Sequence, residues 1–269
     1  MTSQKKNPNL IKTEINIFLT AIMFFTRIPV PHNIDHSSAM LQKSARYFSW
    51  VGILVGVIGA ASFFLFQKIF SPSLSIAISM LITIYTTGAF HEDGFADCCD
   101  GFGGGYTKEK ILLIMKDSRL GTFGVVGLIF ILGLKFLILQ ELFLHVGAVK
   151  LVLIMVSAHA VSRLGAVNIM QYYNYVQDTD VSKSKPLADR KLTIPEFLTA
   201  IAGAGLPLFF LPPVYALSLV IVAVKCLFCG QFFYKRIGGY TGDCLGATQQ
   251  VCEIGFYVGV LLIIQLFNV

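Results

Sequence analysis

Apolar runs separated by short polar breaks fill most of this chain. Several reach the ~20 residues that a helix needs to cross a bilayer. The first runs from Leu10 to Val30 and closes on Pro29 and Pro31; a polar connection with His32, Asp35, His36, Lys43 and Arg46 follows. The second, Tyr47 to Phe70, carries Gly52, Gly56 and Gly59 at a small-residue spacing that lets a neighbouring helix come close. The third, Leu74 to Phe90, delivers the chain into an acidic stretch. Further spans are predicted over 123–144, 149–170, 197–211, 213–233 and 244–266. Between them, residues 107–119 alternate charged and apolar positions, which predicts an amphipathic helix lying in the interface, with Thr107 as its N-cap. The pattern predicts an all-α, polytopic membrane bundle of about six to eight crossings, built as one domain over 1–269.

Composition agrees. Charged residues make up 13% of the 269 positions, where a soluble domain carries roughly 25%. The net charge of +6 suits a membrane surface and anionic substrates, and no clustered basic face points to nucleic acid. Lys183, Lys185, Arg190 and Lys191 in the polar segment 171–196, with Lys5, Lys6 and Lys12, place that loop and the N-terminus in the cytoplasm by the positive-inside rule. This is the pattern of an inner-membrane protein with its site toward the cytoplasm. The start of the chain shows no cleavage site of a signal peptide. Six cysteines form no disulfide framework, and the lone Cys226-x-x-Cys229 reads more simply as buried helix cysteines than as a zinc or redox site.

Chemistry concentrates in His91-Glu92-Asp93-Gly94-Phe95-Ala96-Asp97-Cys98-Cys99-Asp100, which holds four of the fifteen acidic residues. On a helix, Asp93, Asp97 and Asp100 follow i, i+4, i+7 and share one face. Grouped carboxylates near bilayer depth are expensive, and oxygen-only ligands suit a hard ion such as Mg²⁺. The plainer reading is an acidic helix end in water. Glu92 points about 100° away and reads as a supporting partner of the metal set. Asp243 closes Gly238-Gly239-Tyr240-Thr241-Gly242-Asp243, where glycine backbone, Thr241 and Gly242 are suited to phosphate, or else form a turn capped by Asp243. Lys116 and Arg119 read as a diphosphate clamp or as membrane anchors. Arg163, beside His159 and Ser162 in an apolar span, reads as a phosphate ligand or half of a salt bridge; Arg27 as a substrate contact or an interfacial side chain. His91 is a candidate base or a hydrogen-bonded neighbour. The glycines of 101–105 predict a flexible loop and, lacking a preceding strand, not a nucleotide-binding motif.

Four motifs occur in order: Phe24-Phe25-Thr26-Arg27-Ile28-Pro29-Val30-Pro31; the stretch from His91 to Asp97 with Asp100-Gly101; Met115-Lys116-Asp117-Ser118-Arg119-Leu120-Gly121; and Gly238 to Asp243. With them the chain resembles the cobalamin synthase family of adenosylcobinamide-GDP ribazoletransferases over about positions 10–260. The resemblance implies a membrane-embedded, Mg²⁺-dependent phosphotransferase of cobalamin biosynthesis. It would join α-ribazole, or its 5′-phosphate, to adenosylcobinamide-GDP and release GMP. It further implies Mg²⁺ on Asp93, Asp97 and Asp100, with Asp243 holding a second ion or orienting the nucleophile. Arg119, Lys116 and Arg163 would neutralise charge, and an aspartate such as Asp97, or His91, would take the proton. A homo-oligomer or association with other cobalamin-pathway enzymes is compatible with it. Two competing classes are a CDP-alcohol phosphotransferase or aromatic prenyltransferase, and a cation-coupled transporter. The His91 motif has Ala96-Asp97 where CDP-alcohol enzymes have Ala-Arg, the second acidic motif has only Asp243, and a transporter would spread its acids along several spans.

Overall fold

The structure, a computed structural model, describes residues 10–31, 34, 37–176 and 190–267. Lys5, Lys6, His32, Asp35, His36, Lys183 and Lys185 therefore lie outside the described residues. Ten α-helices run through the described chain: α1 (Leu10–Phe25), α2 (Ser38–Ser44), α3 (Phe48–Phe66), α4 (Pro72–Thr87), α5 (Phe90–Gly104), α6 (Lys108–Met115), α7 (Thr122–Tyr172), α8 (Ile194–Gly205), α9 (Ser218–Ile237) and α10 (Gly242–Phe267). The helix starts follow local chemistry. Ser71 caps α4 ahead of Pro72, Thr107 caps α6 as expected, and Thr193 with Glu196 forms a capping box on α8.

Four segments are long and apolar enough to cross a membrane: 38–66, Thr122–Tyr172, Pro213–Ile237 and Gly242–Phe267. The α4–α5 pair, bent by 88°, passes the same test only with its two helices taken together, the form of a broken span or a re-entrant loop. The long α7 supplies two arms, since it is not one rod. Gly147 breaks it with φ 69° and ψ −178°, a conformation open to glycine. Lys135 and His159, twelve residues to either side, reach the same oxygen of Glu253 at 2.6 and 3.6 Å. In a straight helix they would stand about 36 Å apart. So α7 is a hairpin of two arms, 122–146 and 148–172, matching the two predicted spans.

Three expectations are corrected. The span predicted over 197–211 is a 12-residue helix running into a 3₁₀ turn over Leu206–Phe210 that contains Pro207, too short to cross. The first helix ends at Phe25, and 26–31 is not helical. The glycines 101–104 continue α5 as helix rather than forming a loop, because they serve close packing: a Cβ on Gly101 would sit 2.7 Å from the Met115 side chain, and one on Gly103 2.6 Å from the Phe123 ring.

Packing is glycine-led elsewhere too. Gly52 and Gly56 let α3 lie against the second arm of α7, where a Cβ on Gly56 would meet Val156 Cα at 2.8 Å. Gly59 faces α4, whose Ser79 hydroxyl donates to its carbonyl at 2.7 Å. Phe130, Leu144, Leu81 and Phe228 point outward, whereas Lys135, Arg163 and Glu253 are buried. Apolar outside and charged inside, the bundle is built for lipid.

Candidate active site

An elbow sets α5 in place. Gly88 and Ala89 both adopt left-handed backbone (φ 68° and 59°), turning the chain from α4 into α5. The Arg27 amide donates to Thr86 O at 2.7 Å, and its side chain lies against Gly88 where any Cβ would collide with it. Arg27 thus fastens the elbow while its side chain stays exposed.

From there α5 runs along α10 at very short range. A Cβ on Gly94 would sit 2.9 Å from Asp243 Cα, and one on Gly246 3.0 Å from His91 O. Cys98 and Cys244 face each other at 4.0 Å. This contact carries Asp243, in the first turn of α10, to the face of α5 that bears Asp93 and Asp97. Asp97 lies within electrostatic reach of Asp243, Asp93 and Asp100. Thr241, not Asp243, caps α10, accepting from Cys244 N at 3.3 Å; its hydroxyl also lies 3.3 Å from Asp243 Oδ2. The turn before it is pinned by the chain leaving α7: Tyr240 N donates to Asn174 O and Val176 N to Tyr240 O, each at 3.0 Å. Gly242 lines a small apolar cavity with Phe24, Phe25 and Phe90.

Asp100 has other work. Its Oδ2 accepts from Gly121 N at 2.7 Å and its Oδ1 from Gly124 N at 2.8 Å. Both oxygens accept from the N-terminus of α7, where a carboxylate is favoured by free amides and by the helix dipole. The Asp93 and Asp97 carboxylates have no hydrogen-bond or ion-pair partner among the described residues. No set of three metal-ligating side chains stands close enough to enclose an ion among the described residues. Asp93, Asp97 and Asp243 nonetheless fit a hard divalent ion in donor chemistry: oxygen only, grouped, and with no cationic side chain paired to them among the described residues.

Lys116 and Arg119 are exposed on the segment joining α6 to α7, which Asp100 ties to α5. The Arg119 guanidinium bonds Asp117 (Nε to Oδ1, 3.0 Å), and these bonds hold the Asp117 carboxyl down to about 2.

His91, Glu92 and Arg163 sit on the opposite, inner face. Arg163 Nη2 lies 3.2 Å from His91 Nε2; a guanidinium only donates, so this nitrogen accepts. Arg163 also donates to His159 O at 2.9 Å and lies over the Phe48 ring. The structure therefore separates His91, Arg163 and Glu92 from the aspartate face, because residues 91 and 92 point about 100° or more away from Asp93 and Asp97 on the helix. Glu92 Oε1 accepts from Gln250 Nε2 at 3.0 Å. Deeper, Glu253 pairs with Lys135 at 2.6 Å and accepts from Gln249 at 2.8 Å and Tyr257 at 3.2 Å. Lys135, Gln249, Gln250 and Glu253 escaped the sequence reading. For the charged pair a signal was available: Lys135 is the one basic residue of span 123–144 and Glu253 the one charge of span 244–266, and opposite charges seek each other in a bilayer.

Within the described residues, then, the fold defines a membrane-embedded helical protein with an aspartate-bearing helix pair flanked by exposed cations. The cobalamin-5-phosphate synthase pattern matches residues 17–261, and the chain belongs to that family. It is 46% identical over 251 residues to the adenosylcobinamide-GDP ribazoletransferases of Shewanella sp. (strain W3-18-1) and Shewanella putrefaciens, covering 93% of this chain and 95% of each relative. The Shewanella oneidensis protein of the same name is 45% identical over the same length. No solved structure matches the chain.

Proposed function

We propose that this protein joins adenosylcobinamide-GDP to α-ribazole, or to α-ribazole 5′-phosphate, and releases GMP, in keeping with the names of its relatives. The observation that carries the chemistry is the α5–α10 contact. It brings Asp243 to Asp93 and Asp97, whose carboxylates have no partner among the described residues.

Asp93, Asp97 and Asp243 would hold Mg²⁺, which when bound supplies positive charge to the diphosphate and to the departing GMP. Lys116 and Arg119 bind the diphosphate oxygens. Arg119 exchanges its exposed Asp117 partner for phosphate, a cheap step because exposed ion pairs contribute little. An aspartate of this face takes the proton of an attacking hydroxyl; His91 is engaged by Arg163 on the inner face. Arg27 contacts substrate at the head of α5, beside the elbow that it fastens. Thr241 and Gly242 shape the start of α10 and act through the placement of Asp243.

The site faces the cytoplasm across the inner membrane. Lys108, Lys110, Lys116, Arg119, Lys235 and Arg236 cluster around α6 and the C-terminal end of α9, next to the segment that Asp100 ties to α5. This is the side that the positive-inside rule assigns to the cytoplasm. Family membership argues against the CDP-alcohol, prenyl and transporter readings. The test is GMP release from adenosylcobinamide-GDP by purified protein. The reading expects release that needs both α-ribazole and a divalent ion and stops in EDTA.

A further inference from the structure

The aspartates of the site come from two helices, so their mutual position depends on the register of α5 against α10. Asp243, Gly246 and Gln250 follow i, i+3, i+7 on α10 and form one stripe. All three face α5: Asp243 against Gly94, Gly246 against His91, and Gln250 Nε2 3.0 Å from Glu92 Oε1. Glu92 is the residue before Asp93. Gln250 is therefore the polar fastener of this contact, two helical turns (about 10 Å) beyond Asp243.

The fastener is held from behind. Gln250 Nε2 also lies 2.9 Å from Gln249 Oε1, and Gln249 Nε2 lies 2.8 Å from Glu253 Oε2 and 3.1 Å from Ser162 Oγ. Glu253 is fixed by Lys135 from the first arm of α7. Each amide nitrogen reaches two acceptors, so donation runs one way, from Gln250 and Gln249 toward Glu92 and Glu253. Turning the Gln250 amide over would aim its oxygen at two other oxygens. Gln250, Gln249, Glu92 and Glu253 are all buried, where losing a partner is costly.

We propose that Gln250 is a positioning residue of the transferase site: through Glu92 it sets the register that holds Asp243 opposite Asp93 and Asp97, and so sets the affinity for the divalent ion. The inference rests on assigning these three aspartates to one metal-bearing site.

The test compares wild type, Gln250→Glu and the exchanged pair E92Q/Q250E in two titrations. One adds Mg²⁺ to the GMP-release assay; the other adds Mn²⁺ to substrate-free protein in detergent, read by the electron paramagnetic resonance signal of free Mn²⁺. Gln250→Glu sets a second carboxylate against Glu92. The Mg²⁺ needed for half-maximal release and the Mn²⁺ dissociation constant then both rise, by roughly 10- to 100-fold, as when outer-shell partners of a metal are lost. KM for adenosylcobinamide-GDP at saturating metal stays within about twofold, since substrate contacts are untouched. The exchanged pair restores one amide and one carboxylate and recovers most of the metal affinity. If Gln250→Glu does not fold, Gln250→Met, of similar length without donors, carries the same expectation. Unchanged metal titrations in a folded variant overturn the proposal, as does an exchanged pair no better than the single variant. A wild type that releases GMP in EDTA and binds no Mn²⁺ refutes the metal reading itself, and the proposal with it.

Discussion

Replacing Asp100 by Ala separates the two roles an acidic residue can have in this motif. The structure commits both carboxylate oxygens to the amides of Gly121 and Gly124 at 2.7 and 2.8 Å. Hydrogen bonds to a charged group contribute about 1.5–3 kcal/mol each, and the substitution strands a buried Gly124 amide. The expected loss is roughly 3–5 kcal/mol. At about 2–4 °C per kcal/mol for a chain of this order of size, the melting temperature in detergent falls by roughly 6–20 °C. Thermal unfolding followed by size-exclusion recovery reads this directly, with turnover measured on the same preparations. Asp97→Asn, by contrast, removes no protein contact and leaves the melting temperature within about 2 °C. An Asp100→Ala protein as stable as wild type but inactive would make Asp100 a metal ligand and refute the capping role.

Two further outcomes follow from the packing. Lys135→Met strands the buried charge of Glu253 and costs about 3–5 kcal/mol, seen in the same unfolding assay; adding Glu253→Gln removes that charge and recovers at least half of the loss. Gly94→Val drives a side chain into Asp243, whose Cα lies 2.9 Å from a Cβ at that position. It lowers GMP release by about 10²-fold while helix content by circular dichroism stays at the wild-type level.

Much of the architecture was legible in the chain because bilayer crossing demands long apolar runs, and those are local. The two arms of α7 and the glycine stripe of α3 are read from residues that lie beside one another in sequence. The carboxylate face of α5 was equally local, and Asp93 and Asp97 stay on it. Asp100 shares that face too, but its second task, accepting from the Gly121 and Gly124 amides, was not legible, because it depends on where the next helix begins, which is tertiary information. The same limit explains His91 and Arg163. Alone, His91 reads as a candidate base or a hydrogen-bonded neighbour and Arg163 as a phosphate ligand or half of a salt bridge; they bond each other across 72 positions of sequence. Glycines 101–104 were misread because flexibility and close packing both call for a residue without a side chain, and only the presence of Met115 and Phe123 decides between them. Lys135 and Glu253 were readable in principle as the one basic residue of span 123–144 and the one charge of span 244–266.

The central claim is that the aspartates gathered by α5 and α10 perform the transfer with a divalent ion. GMP release from adenosylcobinamide-GDP and α-ribazole, measured side by side for wild type and Asp97→Asn with Mg²⁺ and with EDTA, tests it most directly. The account predicts release only by wild type in Mg²⁺, with Asp97→Asn folded, membrane-inserted and silent. Near-normal release by Asp97→Asn, or wild-type release that persists in EDTA, would contradict it.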